Sequence, residues 1–294
     1  MSSFNQWDIV SGVGVTALGV AAARALETHR SGALVTDPYA SAFVEAADAP
    51  VPLPSHPRDL DSQAWKGDTV WMSMATYVAV RSRFFDDFFA RATADGIGQA
   101  VLLAAGLDTR AFRLDWPAGC RLFEVDQPRV LEFKDTVLGE QQAQARCDRR
   151  AVAVDLRDDW AAALHDAGFD TTRPTAWLAE GLLPYLPADA ENNLFATIHR
   201  LSAPGSRIAV EHVDTQSLGM FDEEEMTQAG QQMGVDISTL LHNEDKEHPE
   251  RVLTGLGWTA RSDTAQQTAR RYGRELDGTM GRNGGKLEYI TASR

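Results

Sequence analysis

From Gln99 onward the chain repeats a pattern that few folds satisfy: a short, nearly continuous apolar run, a stop at glycine or an acidic residue, then an amphipathic stretch. The apolar runs are Ala100–Gly106, Arg121–Asp126, Ala151–Leu156, Thr175–Ala179 and Arg207–Glu211. Between them lie helical candidates at Pro128–Leu138, Trp160–Ala167 and Pro187–Leu201, the last with Leu194, Ile198 and Leu201 on one face. Strands without polar alternation are buried on both faces, so this order predicts an α/β fold with a parallel sheet between two helical layers and right-handed crossovers. The chain closes on Trp258–Thr264, a short helix near Gln266–Arg274 and an alternating strand, Gly285–Thr291.

The first 95 residues read differently. Val15–Glu27 is an alanine-rich helix, and Asp37-Pro38 opens a second helix reaching Ala47, with Asp37 as N-cap. Four prolines between Ala49 and Pro57 dictate an extended loop. Ser73–Ala94 forms a third helix with Tyr77, Val80, Phe84, Phe85, Phe88 and Phe89 at helical spacing. Arg81 falls on that apolar stripe, so its charge must snorkel or be paired, either by a structural acid or by a carboxylate-bearing ligand. Arg83, by contrast, faces Asp86 and Asp87 as a surface pair.

Composition narrows the class. With 28 Lys+Arg against 42 Asp+Glu the net charge is −14, which argues against a nucleic-acid partner. The 2 cysteines, Cys120 and Cys147, cannot form a disulfide framework, and a reducing cytoplasm is the default. Met1–Val10 lacks the basic start of a secretory signal, and Ile9–Ala23 is too short to span a bilayer, so no membrane partner is expected. A monomer or homodimer is compatible with this composition.

In an open parallel sheet, ligands bind beyond the carboxyl ends of the strands. Those ends place Gly106, Asp126, Asp155 with Leu156, Glu180 and His212 together. Gly106 would let a ligand approach the backbone, or simply end a strand. Asp126 lies 20 residues further on, where an acid can accept both hydroxyls of a ribose; it can equally cap the helix that Pro128 opens. Asp155-Leu156 suits an adenine ring, with the carboxylate on the exocyclic amine and the apolar side chain on the face; the alternative is a solvated loop beside Arg157 and Asp158. His212 is the histidine placed to act as a base. No Gly-x-Ser-x-Gly elbow exists, Gly12-Val-Gly14 follows no strand, and His242 and His248 miss the helical metal spacing, so no metal is expected.

Several segments in fixed order carry a family resemblance: Val13-Gly-Val-Thr-Ala-Leu18, Asp37-Pro-Tyr-Ala40, Arg81-Ser-Arg-Phe-Phe85, Ala105-Gly-Leu-Asp-Thr-Arg110, Phe123-Glu-Val-Asp-Gln-Pro128, Val154-Asp-Leu156 and Glu180-Gly-Leu-Leu-Pro-Tyr-Leu186. The chain resembles bacterial S-adenosyl-L-methionine-dependent methyltransferases related to leucine carboxyl methyltransferase. The resemblance implies a Rossmann-like class I methyltransferase sheet of seven strands with the last antiparallel. It also implies S-adenosyl-L-methionine as cofactor. Carried over, Arg81 would hold the cofactor carboxylate, Gly106 would approach its methionine part and Asp126 would hold the ribose. Asp155 and Leu156 would hold the adenine, and Glu180 would line the methionine end. One methyltransferase domain is expected over 1–294, with a helical extension (1–95), a cofactor-binding core (98–215), a helical lid insert (216–248) and C-terminal strands (250–294).

The expected activity is methylation of an oxygen, carboxylate or hydroxyl, on a small-molecule acceptor. No catalytic residue is nominated, and that lack fits a carboxylate, which needs no base, slightly better than a hydroxyl, which would need one, with His212 or Tyr185 nearby. A nicotinamide-dependent oxidoreductase would share the glycine and the acid but needs further glycines that Ala105–Arg110 lacks. A non-catalytic nucleoside-binding protein is the third reading. Arg81→Met is expected to keep its helix packed while costing cofactor affinity.

Overall fold

The computed structural model describes residues 9–10, 12–49, 51–62, 70–214 and 239–294. The seven strands are β1 (Gln99–Leu103), β2 (Arg121–Asp126), β3 (Asp148–Ala153), β4 (Ala176–Ala179), β5 (Arg207–Val213), β6 (Thr259–Thr264) and β7 (Leu287–Ser293). They form one sheet in the order β3-β2-β1-β4-β5-β7-β6. Strands β1 to β5 are mutually parallel, and β7 runs antiparallel to both β5 and β6. The order reverses between β1 and β4, which opens a crevice at their carboxyl ends.

Ten α-helices accompany these strands among the described residues: α1 (Val13–Thr28), α2 (Ala40–Ala46), α3 (Val70–Ala94), α4 (Arg110–Arg113), α5 (Pro128–Glu140), α6 (Trp160–Asp166), α7 (Ala188–Leu201), α8 (Pro249–Gly255), α9 (Ala265–Arg271) and α10 (Gly278–Asn283). The period-two geometry of each strand sends alternate residues to opposite layers. Ala100, Leu102, Leu122 and Leu178 pack with α1, α3 and α5, whereas Val101, Leu103, Phe123 and Trp177 pack with α6, α7 and α8. The aromatic stripe of α3 is buried throughout, with Phe85 at 0% exposure.

Three local expectations shift. The third strand begins at Asp148 rather than Ala151 and ends at Ala153, because its polar start is useful: Arg149 reaches across to the buried Glu124 of β2 at 2.7 Å. This leaves Asp155 and Leu156 in the loop beyond the strand. Helix α2 starts two turn residues later than expected, with Tyr39 at its N-cap; Asp37 Oδ1 accepts the Tyr39 N–H at 3.1 Å in the turn that leads into it, while Oδ2 is buried and accepts from Arg24 at 2.9 Å and Thr109 at 2.8 Å. Asp86 is likewise no surface partner of Arg83. Asp87 takes that role at 2.8 Å, while Asp86 turns inward to Arg110. The segment expected to be a lid lies outside the described residues over 216–238. The described remainder, 239–248, runs back along the carboxyl edge of the sheet without forming a helix or strand longer than one turn.

Candidate functional site

A cavity of about 540 Å³ opens at the crevice between β1 and β4. Arg81, Gly106, Asp126, Asp155, Leu156 and Glu180 all line it. The loop after β1 is held in an unusual backbone state: Ala104 and Gly106 have φ of 52° and 47°, in the left-handed region where only glycine is comfortable. A Cβ at Gly106 would meet the Cβ of Ala17 on α1 at 3.7 Å, an ordinary contact, so it is the turn and not the approach of that helix that calls for the glycine. The Gly106 N–H donates to Asp126 Oδ2 at 2.6 Å, and the Gln127 N–H donates to Oδ1 at 2.7 Å. Burial raises the Asp126 pKa above the usual carboxylate value, and these two amide donors oppose the rise. Each oxygen retains an outward lone pair for a hydroxyl donor.

Asp155 sits beyond β3, accepting from the Arg157 guanidinium at 2.9 and 2.7 Å and from Gln127 Nε2 at 3.0 Å. Burial would raise its pKa, but the Arg157 bonds win and hold it low. The expected solvated-loop contact with Arg157 and the placement in the cavity wall therefore coexist.

The floor of the cavity is an ionic network that only partly shows in the sequence. Arg81 is 8% exposed. Its Nε donates to Glu180 Oε1 at 2.7 Å and its Nη1 to both Glu211 oxygens at 3.1 Å. Structural acids are thus its partners, while Nη2 makes no hydrogen bond to the described residues. Burial alone would lower the Arg81 pKa; Glu211 and Glu180 more than compensate and keep it charged. The second Glu180 oxygen accepts from Arg110 Nη1 at 2.7 Å. Arg110 also binds Asp108 and Asp86. Glu211 further accepts from the Tyr77 hydroxyl and from the Gly181 N–H at 2.7 Å.

Glu211, Arg110 and Asp108 were not singled out from the sequence. The available signal was Glu211 itself, an acid inside a continuous apolar strand that requires a cation. Its neighbour His212, the histidine expected near a hydroxyl acceptor, stands outside the large cavity. On a strand the two point to opposite faces, and His212 lines a separate cavity of about 140 Å³ with His248 and Lys246. Burial and then the adjacent His248 ring push the His212 pKa down to about 4.

Tyr185 does face the large cavity. It belongs to a one-turn 3-10 element, Leu183–Tyr185, directly after Glu180, and its hydroxyl donates to Thr16 Oγ1 of α1 at 3.3 Å. Burial raises its pKa, so it stays protonated at neutral pH. Arg24 of α1 binds the Leu107 carbonyl at 2.7 Å and Asp37 at 2.9 Å, docking the N-terminal helices on the loop after β1.

Comparison with known proteins agrees with this architecture. The sequence profile of the leucine carboxyl methyltransferase family matches residues 17–199, more than half of the chain. A protein of Saccharopolyspora erythraea named "Putative S-adenosyl-L-methionine-dependent methyltransferase" is 50% identical over 294 residues, covering 100% of both chains. A similarly named protein of Rhodococcus jostii is 49% identical, covering 92% of this chain and 91% of its own. Among solved structures, a "putative methyltransferase" of Thermobifida fusca has a TM-score of 0.51 at 20% identity, covering 87% of this chain and 92% of that one. A Streptomyces avermitilis protein has a TM-score of 0.53 at 16% identity, covering 86% and 94%. The two structures share the fold. The profile and the high-identity relatives go further: the chain belongs to the leucine carboxyl methyltransferase family and is an S-adenosyl-L-methionine-dependent methyltransferase.

Proposed function

We propose that the chain methylates an oxygen of a small-molecule metabolite, with the cofactor laid along the carboxyl edge of β3, β2, β1 and β4. The cavity fits the cofactor chemically. Its volume lies within the range of roughly 300–1,000 Å³ typical of small-ligand sites. Asp155 and Leu156 would hold the adenine, and Asp126 would accept the ribose hydroxyls. Gly106 would pass close to the methionine part, the Nη2 of Arg81, which bonds to none of the described residues, would meet its carboxylate, and Glu180 would face its ammonium. When bound, S-adenosyl-L-methionine supplies a methyl group on a sulfonium that a nucleophile can displace.

The observation that carries the acceptor assignment is the state of the groups around the Tyr185 end. Both oxygens of Glu180 and of Glu211 are held by arginines, and Tyr185 is kept protonated by burial. Tyr185 can donate a hydrogen bond and all three can orient an acceptor and exclude water, but none of the three is a competent base. An acceptor that is already a nucleophile, a carboxylate, asks least of these three groups, whereas a hydroxyl would call on His242, which also lines the cavity. Transfer then depends mainly on positioning. The test is S-adenosyl-L-homocysteine formation across a panel of small carboxylic acids and matched alcohols. Methyl ester products from the acids are expected; turnover confined to the alcohols would reassign the acceptor class.

A further inference from the structure

Residues 242–248 return to the site after β5 and make a strap across the turn that carries Tyr185. The His242 N–H donates to the Pro184 carbonyl at 2.9 Å. The Glu244 carboxylate accepts from the Ala188 N–H at 2.7 Å, supplying the cap that Pro187 cannot give α7. Lys246 closes the strap. Its Nζ donates to the Leu183 carbonyl at 2.9 Å and the Leu186 carbonyl at 2.5 Å, and pairs with Glu191 of α7 at 3.2 Å. An ammonium has three N–H donors and no acceptor, so all three are used. The side chain is 11% exposed, and the two carbonyls flank Pro184 and Tyr185 on either side.

We infer that Lys246 is a positioning residue for the acceptor end of the cavity: by bracketing Leu183 and Leu186 it sets where the Tyr185 ring and hydroxyl stand, without touching the cofactor region. This inference rests on the proposed division of the cavity into a cofactor region around Asp126 and an acceptor region around Tyr185. Its physical basis is the weakness of the turn itself. The Leu183–Tyr185 element has one turn of backbone bonds, Tyr185 N–H to Leu182 at 3.0 Å and Leu186 N–H to Leu183 at 3.2 Å, and a short 3-10 segment holds its shape poorly alone. The strap adds one cation that spans both ends of the turn and, at its middle, a hydrogen bond from the His242 N–H to the Pro184 carbonyl. The same ammonium joins the turn to α7, so that Tyr185 is referenced to a helix whose apolar face is buried and, through Thr16, to α1.

The chain has 5 tyrosines, so 3-fluorotyrosine labelling gives a small set of ¹⁹F resonances in which Tyr185 is assigned by its loss in Tyr185→Phe. Lys246→Met should shift or broaden the Tyr185 resonance and leave the other four in place, and Lys246→Arg should restore it at least partly. Amide exchange at Tyr185 and Leu186 should accelerate about tenfold in Lys246→Met, with β1 and β4 unchanged. Affinity for S-adenosyl-L-homocysteine should stay within threefold of wild type. Glu244→Ala, at a half-exposed side chain, provides a milder strap variant and should move the same resonance in the same direction even if Lys246→Met does not fold. An unchanged Tyr185 signal in both strap variants overturns the inference, as does loss of S-adenosyl-L-homocysteine affinity in Lys246→Met as large as that in Asp126→Ala. Unaltered affinity in Asp126→Ala would instead remove the cofactor assignment on which the inference rests.

Discussion

Asp126 and Arg81 show how one side chain serves architecture and chemistry together. Asp126 ties the end of β2 to the loop after β1 through the Gly106 amide, and the same carboxylate is the proposed ribose acceptor. Replacing it by alanine should weaken S-adenosyl-L-homocysteine binding by roughly 1.5–3 kcal/mol, the scale of hydrogen bonds to a charged group, as read by isothermal titration. Arg81 requires a revision of what its substitution does. Glu180 keeps Arg110 at 2.7 Å, but Glu211 has Arg81 as its arginine, so Arg81→Met leaves one buried carboxylate without a cation and the helix does not stay undisturbed. Such a broken pair costs about 3–5 kcal/mol, and denaturant unfolding should show that loss before any ligand is added. A variant as stable as wild type would mean that Glu211 finds another partner.

Among the elements, β2, α5 and β3 are joined by a second buried ionic cluster away from the cavity. Lys134 of α5 and Glu124 of β2 are both fully buried, 2.8 Å apart, and Arg149 of β3 reaches the same Glu124 oxygen. Glu124→Leu should destabilise the protein by about 3–5 kcal/mol because Lys134 is left charged in an apolar layer. Adding Lys134→Met should recover at least half of the loss, since Arg149 keeps Asp135 at 2.7 Å as an alternative partner. The comparison of the single and double variants by urea unfolding isolates the coupling. An equal loss in both would show that packing, not charge, dominates at this contact.

Over the whole molecule, the seam where β5 meets the strap makes stability depend on pH. His212 has a folded-state pKa of about 4 because burial and the His248 ring disfavour its charge, against about 6.5 in an unfolded chain. Between these values protons bind the unfolded chain and not the folded one, so stability is full above pH 6.5 and is lost as pH falls towards 4. The linked loss from this residue is about 2 kcal/mol at pH 5 relative to pH 8. His212→Phe removes the titrating group, and its unfolding midpoint should vary less between pH 8 and pH 5 than that of the wild type. An identical pH slope in the variant would assign the acid sensitivity elsewhere. No described helix is long and apolar enough to cross a membrane.

The strand-and-helix order was legible because nearly continuous apolar runs such as Ala100–Gly106 and the aromatic stripe of α3 are local records of which faces are buried. The placement of Gly106, Asp126, Asp155, Leu156 and Glu180 around one cavity followed from the same record, since parallel strands bring their carboxyl ends to one edge. The need for a partner at Arg81 was also local. Which partner it has was not: Glu180 and Glu211 lie 99 and 130 residues away, on β-strand ends that become neighbours of α3 only when the sheet closes. The inward turn of Asp86, the exclusion of His212 from the large cavity and the grip of Lys246 on the Tyr185 turn have the same origin. Each depends on the direction of a side chain relative to an element remote in sequence, and hydropathy patterns describe burial, not the long-range pairing of charges that burial makes necessary.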